Sequence, residues 1–468
     1  MSSSESDESQ KEVVIPIKDI FHFSHFGHFY KLYVPIAILI GAIAGVAMIA
    51  FQLLIIGFTE IFSVLPNFVA PLIGGIFSGI LIYFGRKEIQ GSGISKAIEM
   101  THNPGKFKSK TAVTKLVATS VSIGSGNPVG REGPAVLIGA SIGNSVGRRL
   151  GFSEASHLRV FLMMGSAAAT AGIYKAPLGG ALFATEAPYR RDAALGYFVP
   201  IVISAITSYV VYAVVMGIDP ILQFTASFDL TLGVLPLLIV FAFVAGLIST
   251  FFSIFLIATR NFFTLKLPDW MDPVAGSALA CGVIFLTGLI LDPSLTVAGM
   301  GYEVINNLAN SSVPILILIV LLFGKLFASS FVVAGRVSGG VLASSLFVGA
   351  MLGAVFGEVF YPSHIGAFIV MGMGAVLAAN TNTPVATTIM MLEMSHSLDL
   401  IIPLVLCVSI AYLVSGGTSL YEGQKISRDD EEEGFFKLAE SLPTSDTKLE
   451  LISHDENPAN SSTSEELE

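Results

Sequence analysis

The sequence predicts an all-α, polytopic membrane protein built from two homologous halves, and three observations carry that prediction. Hydrophobic residues make up 53% of the chain and charged residues only 13%, with a mean hydropathy of +0.75; soluble domains carry about 25% charge. Five apolar runs, Leu32–Ile56, Ala193–Met216, Leu232–Ala258, Val313–Val333 and Leu398–Val414, approach or exceed the ~20 residues that cross a bilayer as a helix. A long part of the chain also repeats itself.

The repeat is ungapped over AVLIGASIGNSVG (135–147) and SLFVGAMLGAVFG (345–357), where Gly139, Ala140, Gly143 and Gly147 stand 210 positions before Gly349, Ala350, Gly353 and Gly357. A second match begins at Met164-Gly165 and Met371-Gly372, now 207 apart. It runs into APLGGALFATE (176–186) and TPVATTIMMLE (383–393), each with a proline followed nine positions later by a glutamate: Pro177 and Glu186, Pro384 and Glu393. The halves span roughly 30–215 and 230–425. Repeats of this size mark transporter folds, whose site lies where the halves meet among broken helices. The spacing alone leaves open whether the halves are inverted or parallel.

Flanking segments differ in character from the membrane region, 29–425. Residues 1–28 are expected to be cytoplasmic: MSSSESDESQKE is polar and no cleavable signal, and IKDIFHFSHFGHFY (17–30) suits an interfacial helix. His22, His25 and His28 recur every three residues, but no carboxylate or cysteine joins them at ligand spacing, so they read as aromatic-belt residues rather than a metal site. From Asp429 to Glu468 thirteen acidic residues face two lysines, a net −11, whereas the rest of the chain carries 23 basic and 22 acidic residues. The overall charge of −10 therefore belongs to a disordered, acidic cytoplasmic tail, 426–468. It says little about a permeant species, and no nucleic-acid partner is expected.

THNPGKFKSKTAVTK carries Lys106, Lys108, Lys110 and Lys115 and should face the cytoplasm by the positive-inside rule, with Arg148, Arg149, Arg190 and Arg191 on the same side. Both termini are then cytoplasmic, and the plasma membrane is the expected location. Cys281 and Cys407 lie in apolar runs and read as small buried hydrophobes.

Four short segments interrupt the apolar pattern: Gly91-Ser92-Gly93-Ile94, GSGNPVGREGP (124–134), Ser338-Gly339-Gly340-Val341-Leu342 and Ser419-Leu420-Tyr421. In the first three, glycines allow close approach and unusual backbone angles, and an apolar helical segment follows. Free N–H groups and the positive end of a helix dipole then favour an anion, and bind it weakly enough for release. Ser92 and Tyr421 add hydroxyls, although Ser92 reads equally as a helix cap and Tyr421 as an interfacial anchor. Glu132 is harder to place. A carboxylate at membrane depth is costly unless paired or solvated; pairing with Arg131 is one reading, but neighbours in sequence point apart on a helix. At an anion-favouring helix start, Glu132 can instead act as a tethered surrogate anion that occupies the site when charged and leaves when protonated.

These motifs resemble the CLC family of chloride channels and chloride/proton exchangers, over about residues 30–425. GSGIS (91–95) is similar to the family's GSGIP, GREGP (130–134) is the family sequence itself, and SGGVLASSL (338–346) is a looser version of GGxFxPSL. KAPLGGALFATE (175–186), TPVATTIMMLE and the closing SLY are also family-like. The resemblance implies an inverted repeat of tilted, partly broken helices and a homodimer with one pore per subunit. It implies an ion transporter in membrane lipid rather than an enzyme, with no cofactor and with chloride as the bound and transported ion. By position, Ser92 and Tyr421 would be the hydroxyls of a central anion site, beside Gly93 and Ile94 at the same helix start. Val341 and Leu342 would offer backbone amides, and Glu132 would be the external gate, presented by Gly130, Arg131 and Gly133. Serine at 92, where nitrate-preferring relatives carry proline, implies chloride.

Departures bear on mechanism. Family exchangers usually show two adjacent glutamates where this chain has Glu186-Ala187. The second is the internal proton-transfer group, so Ala187 marks its absence and favours passive conduction. Exchange of chloride for protons without it is the alternative. Leu342 and Ser344 replace the family's Phe and Pro, and Ser95 the Pro of GSGIP. The acidic tail is too short for paired CBS domains, so nucleotide control through them is not expected. Two other readings compete. Gly139-Ala140-Ser141-Ile142-Gly143 fits the G-x-S-x-G pattern of hydrolases, but Ser141 aligns with Met351 while the glycines persist, which describes a helix-packing face. A fluoride or other anion exporter on the same fold is the second, disfavoured by the intact Gly91-Ser92-Gly93-Ile94.

Overall fold

The computed structural model describes residues 23–104, 110–224, 226–292, 294–309 and 311–427, with the side chains of 23–29, 88 and 110 excepted. His22, the side chains of His25 and His28, Lys106, Lys108, the Lys110 side chain and the acidic tail from 428 onward lie outside the described residues. The compact unit begins at Ile36.

Sixteen α-helices form among the described residues, in two sets of eight. The first half holds α1 (Phe23–Phe62), α2 (Ala70–Tyr83), α3 (Ile94–His102), α4 (Lys110–Gly124), α5 (Glu132–Arg149), α6 (Ala155–Tyr174), α7 (Pro177–Glu186) and α8 (Phe198–Met216). The second holds α9 (Leu235–Lys266), α10 (Asp272–Gly288), α11 (Tyr302–Leu308), α12 (Ile315–Ala334), α13 (Leu342–Phe360), α14 (Ile365–Thr381), α15 (Pro384–Ser395) and α16 (Ile401–Val414). Helix is the expected form, because in lipid each backbone group must be satisfied within its own segment.

Among the described residues, six helices are long and apolar enough to cross a membrane. Two of these, in 342–360 and 362–381, are glycine-rich and escaped the apolar-run criterion, whereas the run Leu398–Val414 yields only the 14-residue α16 behind a 3₁₀ turn. Large apolar side chains such as Val210 and Val214 on α8 and Phe251 and Ile254 on α9 stand exposed. Such surface is a liability in water and an ordinary lipid-facing surface in a bilayer. Cys407 is buried and Cys281 half-buried, neither in a disulfide. α3, α7, α11 and α15 are too short to cross, and proline opens α7 and α15, as suits a first helical position.

The repeated glycines set the closest approaches. A Cβ on Gly139 or Gly143 would run into the Gly165 or Phe161 carbonyl, and one on Gly349 or Gly353 into the Gly372 or Phe368 carbonyl. α5 therefore packs backbone to backbone on α6, and α13 on α14 in the same way. Ser141 sits within α5 and donates to the Leu137 carbonyl at 2.8 Å, so the G-x-S-x-G pattern is part of this packing face.

The halves are antiparallel. Gly130 and Gly340, 210 positions apart, form a reciprocal antiparallel pair: each amide donates to the other's carbonyl, at 2.8 and 2.7 Å. The proline-to-glutamate spacing has the same explanation. Glu186, at the end of α7, accepts from the Val385 and Ala386 amides that open α15, at 3.2 and 2.7 Å. Glu393, near the end of α15, accepts from the Leu178 and Gly179 amides that open α7, at 3.0 and 2.7 Å. Each glutamate thus satisfies two of the amides that a helix start leaves free, and the repeat is inverted.

Replacing Glu393 with alanine should lower stability by about 1–3 kcal/mol by leaving two amides at the α7 start unpaired; Glu186→Ala should act likewise at α15. Thermal unfolding in detergent checks both, and melting temperatures equal to the parent's would remove the caps from any stabilising role.

Candidate functional site

The site is assembled where helices stop short. The strand-like link 127–131 leaves α4 and opens α5 at Glu132, and the link 335–341 leaves α12 and opens α13 at Leu342. A third loop, 89–93, opens α3 and is tied to the second link: the Gly91 amide donates to the Arg336 carbonyl and the Gly339 amide to the Gly91 carbonyl, both at 3.2 Å. Gly133 backs onto Ser92 and Gly340, and Gly130 onto Ala343, so the starts of α3, α5 and α13 meet. Gly93 precedes α3 in the left-handed region, φ 88°, where a side chain would be strained.

Glu132 is fully buried at the first position of α5. Its Oε1 accepts from the Tyr302 hydroxyl at 2.8 Å. A Cβ on Gly130 would meet Oε2 on one side and the Ala343 amide nitrogen, at 3.1 Å, on the other, so the carboxylate lies at the start of α13 beside Leu342. Arg131 turns elsewhere, donating to the Gln52 side chain of α1 and to the Ile173 carbonyl at 3.3 Å. Among the described residues no contact ion pair joins Arg131 to Glu132, so the arginine acts on the carboxylate through space and not as a bound partner.

Three buried hydroxyls face this place. Ser92 Oγ, Tyr174 Oη and Tyr421 Oη have no hydrogen-bond partner among the described residues, and neither has Glu132 Oε2. Ser92 does not cap α3, whose N-cap is Gly93 without a side-chain bond. Tyr421 is 2% exposed, which rules out an interfacial anchor. Tyr174, Tyr302 and Tyr421 all lie within electrostatic reach of Glu132.

A cavity of about 890 Å³ leads here, lined by the half-buried Ser92 and the buried Gly93, Val341 and Leu420. Its rim is charged but internally paired: Lys87 and Arg336 each bind Asp269 at 2.8 Å, Lys96 binds Glu99 at 2.6 Å, and Arg260 binds Glu422. Hydrogen bonds from Lys87 and Arg336 hold the Asp269 carboxyl below the usual carboxylate range.

Lys115 requires a correction. Counted above among cytoplasm-facing lysines, it is instead fully buried, and its Nζ donates to the Ile89 and Gly91 carbonyls at 2.7 and 2.5 Å. It belongs to the inner face of α4 because those two carbonyls satisfy its charge. The positive-inside rule counts lysines without regard to burial.

The sequence model described as voltage gated chloride channel matches residues 74–416. The chain belongs to this family, the CLC family. The voltage-gated ClC-type chloride channel ClcB of Salmonella typhimurium is 28% identical over 409 residues, covering 81% of this chain and 95% of that protein. The H(+)/Cl(−) exchange transporter ClcA of Citrobacter koseri is 26% identical over 325 residues, 66% of this chain and 67% of that one. Among solved structures, a slow cyanobacterial Cl−/H+ antiporter superposes with a TM-score of 0.70 at 21% identity, over 87% of this chain and 97% of that one. A CLC-type fluoride/proton antiporter gives 0.72 at 21%, over 85% and 98%. At such identity the two structures establish the CLC fold.

Within that CLC fold, Ser92, Gly93, Ile94, Gly130, Glu132, Gly133, Val341, Leu342 and Tyr421 are gathered at the helix starts, while the Arg131 guanidinium braces the link behind them. Tyr174 and Tyr302 belong to the same cluster and lie in no motif read above. Ala187 sits apart at the end of α7, its carbonyl accepting from Gln424 at 2.9 Å.

Gly133→Ala should cost about 1–3 kcal/mol, because the new methyl meets the Ser92 hydroxyl and carbonyl. A melting curve indistinguishable from the parent's would show that Ser92 yields freely.

Proposed function

We propose that this CLC-family protein moves chloride across a cellular membrane by the gathered helix starts and hydroxyls, with Glu132 as a protonatable gate. The observation that carries the reading is a buried carboxylate lying where three helix starts favour an anion. When charged, Glu132 fills that place itself. When protonated it loses its attraction to the amide dipoles, and an anion from the cavity can take the position. Ser92 and Tyr421 would donate to the ion, with Val341 and Leu342 offering amides. The chain converts no substrate in this reading and needs no resident cofactor. Its working unit is a homodimer in lipid, in the plasma membrane with cytoplasmic termini.

Ala187 favours passive conduction, as no carboxyl stands there to carry a proton. Proton-coupled exchange is the second reading, favoured by the likeness to ClcA. Fluoride is the less favoured cargo.

Chloride efflux from liposomes holding the purified protein, with external pH followed at the same time, tests all three. Efflux should rise as pH falls in the parent and become independent of pH in Glu132→Gln, which mimics the protonated gate. Ser141→Ala should transport as the parent does. Proton movement against its gradient, driven by chloride, would select exchange over conduction; faster loss of fluoride than of chloride would change the cargo. Glu132→Gln with the parent's pH profile would remove the gate.

A further inference from the structure

The two halves carry a buried lysine at the same place. Lys115 of α4 holds the loop that ends in Ser92 and Gly93. Lys325 of α12 stands 210 positions later and is equally buried. Its Nζ donates to the Val297 carbonyl at 3.1 Å and to the Gly299 carbonyl, and lies 5.0 Å over the Phe347 ring. The loops correspond as well: Gly91 and Gly93 are matched 208 positions on by Gly299 and Gly301, with φ of 58° and 88° against 61° and 94°. The Gly299 amide donates to the Gly126 carbonyl at 2.9 Å, and a Cβ on Gly301 would collide with Phe347, so this loop is fixed on three sides. It ends in Tyr302, whose hydroxyl reaches Glu132.

We propose that Tyr302 is a latch on the Glu132 gate, and that Lys325 is the positioning residue that holds the latch in reach. The inference rests on Glu132 being the gate. An O–H donor stabilises a charged carboxylate more than a protonated one, so the bond favours the inserted, charged gate. The charged and titratable groups within electrostatic reach of Glu132 are Arg131 beside it, Tyr302 from α11, Lys325 from α12, Tyr174 from α6 and Tyr421 beyond α16. Among the described residues, Tyr302 is the side chain that donates a hydrogen bond to it.

The test is chloride efflux from liposomes holding the full chain, measured across pH for the parent, Tyr302→Phe, Glu132→Gln and the double variant. Phenylalanine removes one oxygen and keeps the ring. A hydrogen bond to a charged group is worth about tenfold or more, so half-maximal efflux in Tyr302→Phe should move up by about one pH unit. Efflux at neutral pH should rise correspondingly, and the double variant should match Glu132→Gln. Lys325→Met should shift the profile in the same direction and Lys325→Arg should restore it; if Lys325→Met does not fold, Tyr302→Phe decides. A parent-like profile for Tyr302→Phe, with Glu132→Gln pH-independent, would overturn the latch and leave the gate standing. A parent-like profile for Glu132→Gln would overturn both.

Discussion

The paired hydrogen bonds between Gly130 and Gly340 join the two halves of the molecule beside Glu132. They join equivalent points of the two halves and therefore lie on the axis that relates them. Backbone must meet backbone there: a Cβ on Gly340 would stand 3.0 Å from the Gly133 amide nitrogen and 3.3 Å from the Gly130 carbonyl oxygen. Because neither link continues as helix, α5 and α13 begin inside the protein with their starts turned toward each other. Each start carries free amides and roughly half a positive charge. An anion-favouring place thus arises in apolar sequence from where helices stop.

The cations near this place stiffen it and are not aimed into it. Arg131 binds a glutamine side chain and a carbonyl, Lys115 and Lys325 bind loop carbonyls, and Arg336 binds Asp269 across the cavity mouth. A free lysine beside the ion would hold it strongly, and an ion that must leave again is better served by amides and hydroxyls. Arg336 also adopts φ 60°, where the first half has Gly126 at φ 90°. A left-handed non-glycine residue is costly and persists only when its surroundings fix it; here its carbonyl holds the Gly91 loop and its side chain the rim.

The architecture was legible because glycines that set backbone contacts recur at fixed offsets, and so do the breaks between helices. Glu132 stood out as a carboxylate among apolar runs. The proline-to-glutamate spacing was visible as a pattern, but its meaning needed the reciprocal caps. Tyr302 was hidden, being 170 positions from Glu132 and in no recognised motif. Lys325 was within reach: it lies inside an apolar run and 210 positions after Lys115, an offset already in hand from the glycines. Lys115 was misplaced because a charge count carries no information about which face of a helix a lysine occupies.

Under the proposed reading, the same duplication bears on how a proton would reach Glu132. Glu186, next to Ala187 in sequence, adjoins a cavity of about 650 Å³ lined also by Arg190, Arg191, Asp192 and Tyr412. Yet both its oxygens accept amides at the start of α15, so its position is already explained by capping. Glu393 performs the equivalent cap at the other end of the α7–α15 pair. Capping alone therefore accounts for a glutamate at both positions, and Glu186 need not be retained for proton transfer. Under the proposed reading, that leaves Glu132 to take its proton from the other side, which fits a gated conductor better than a coupled exchanger.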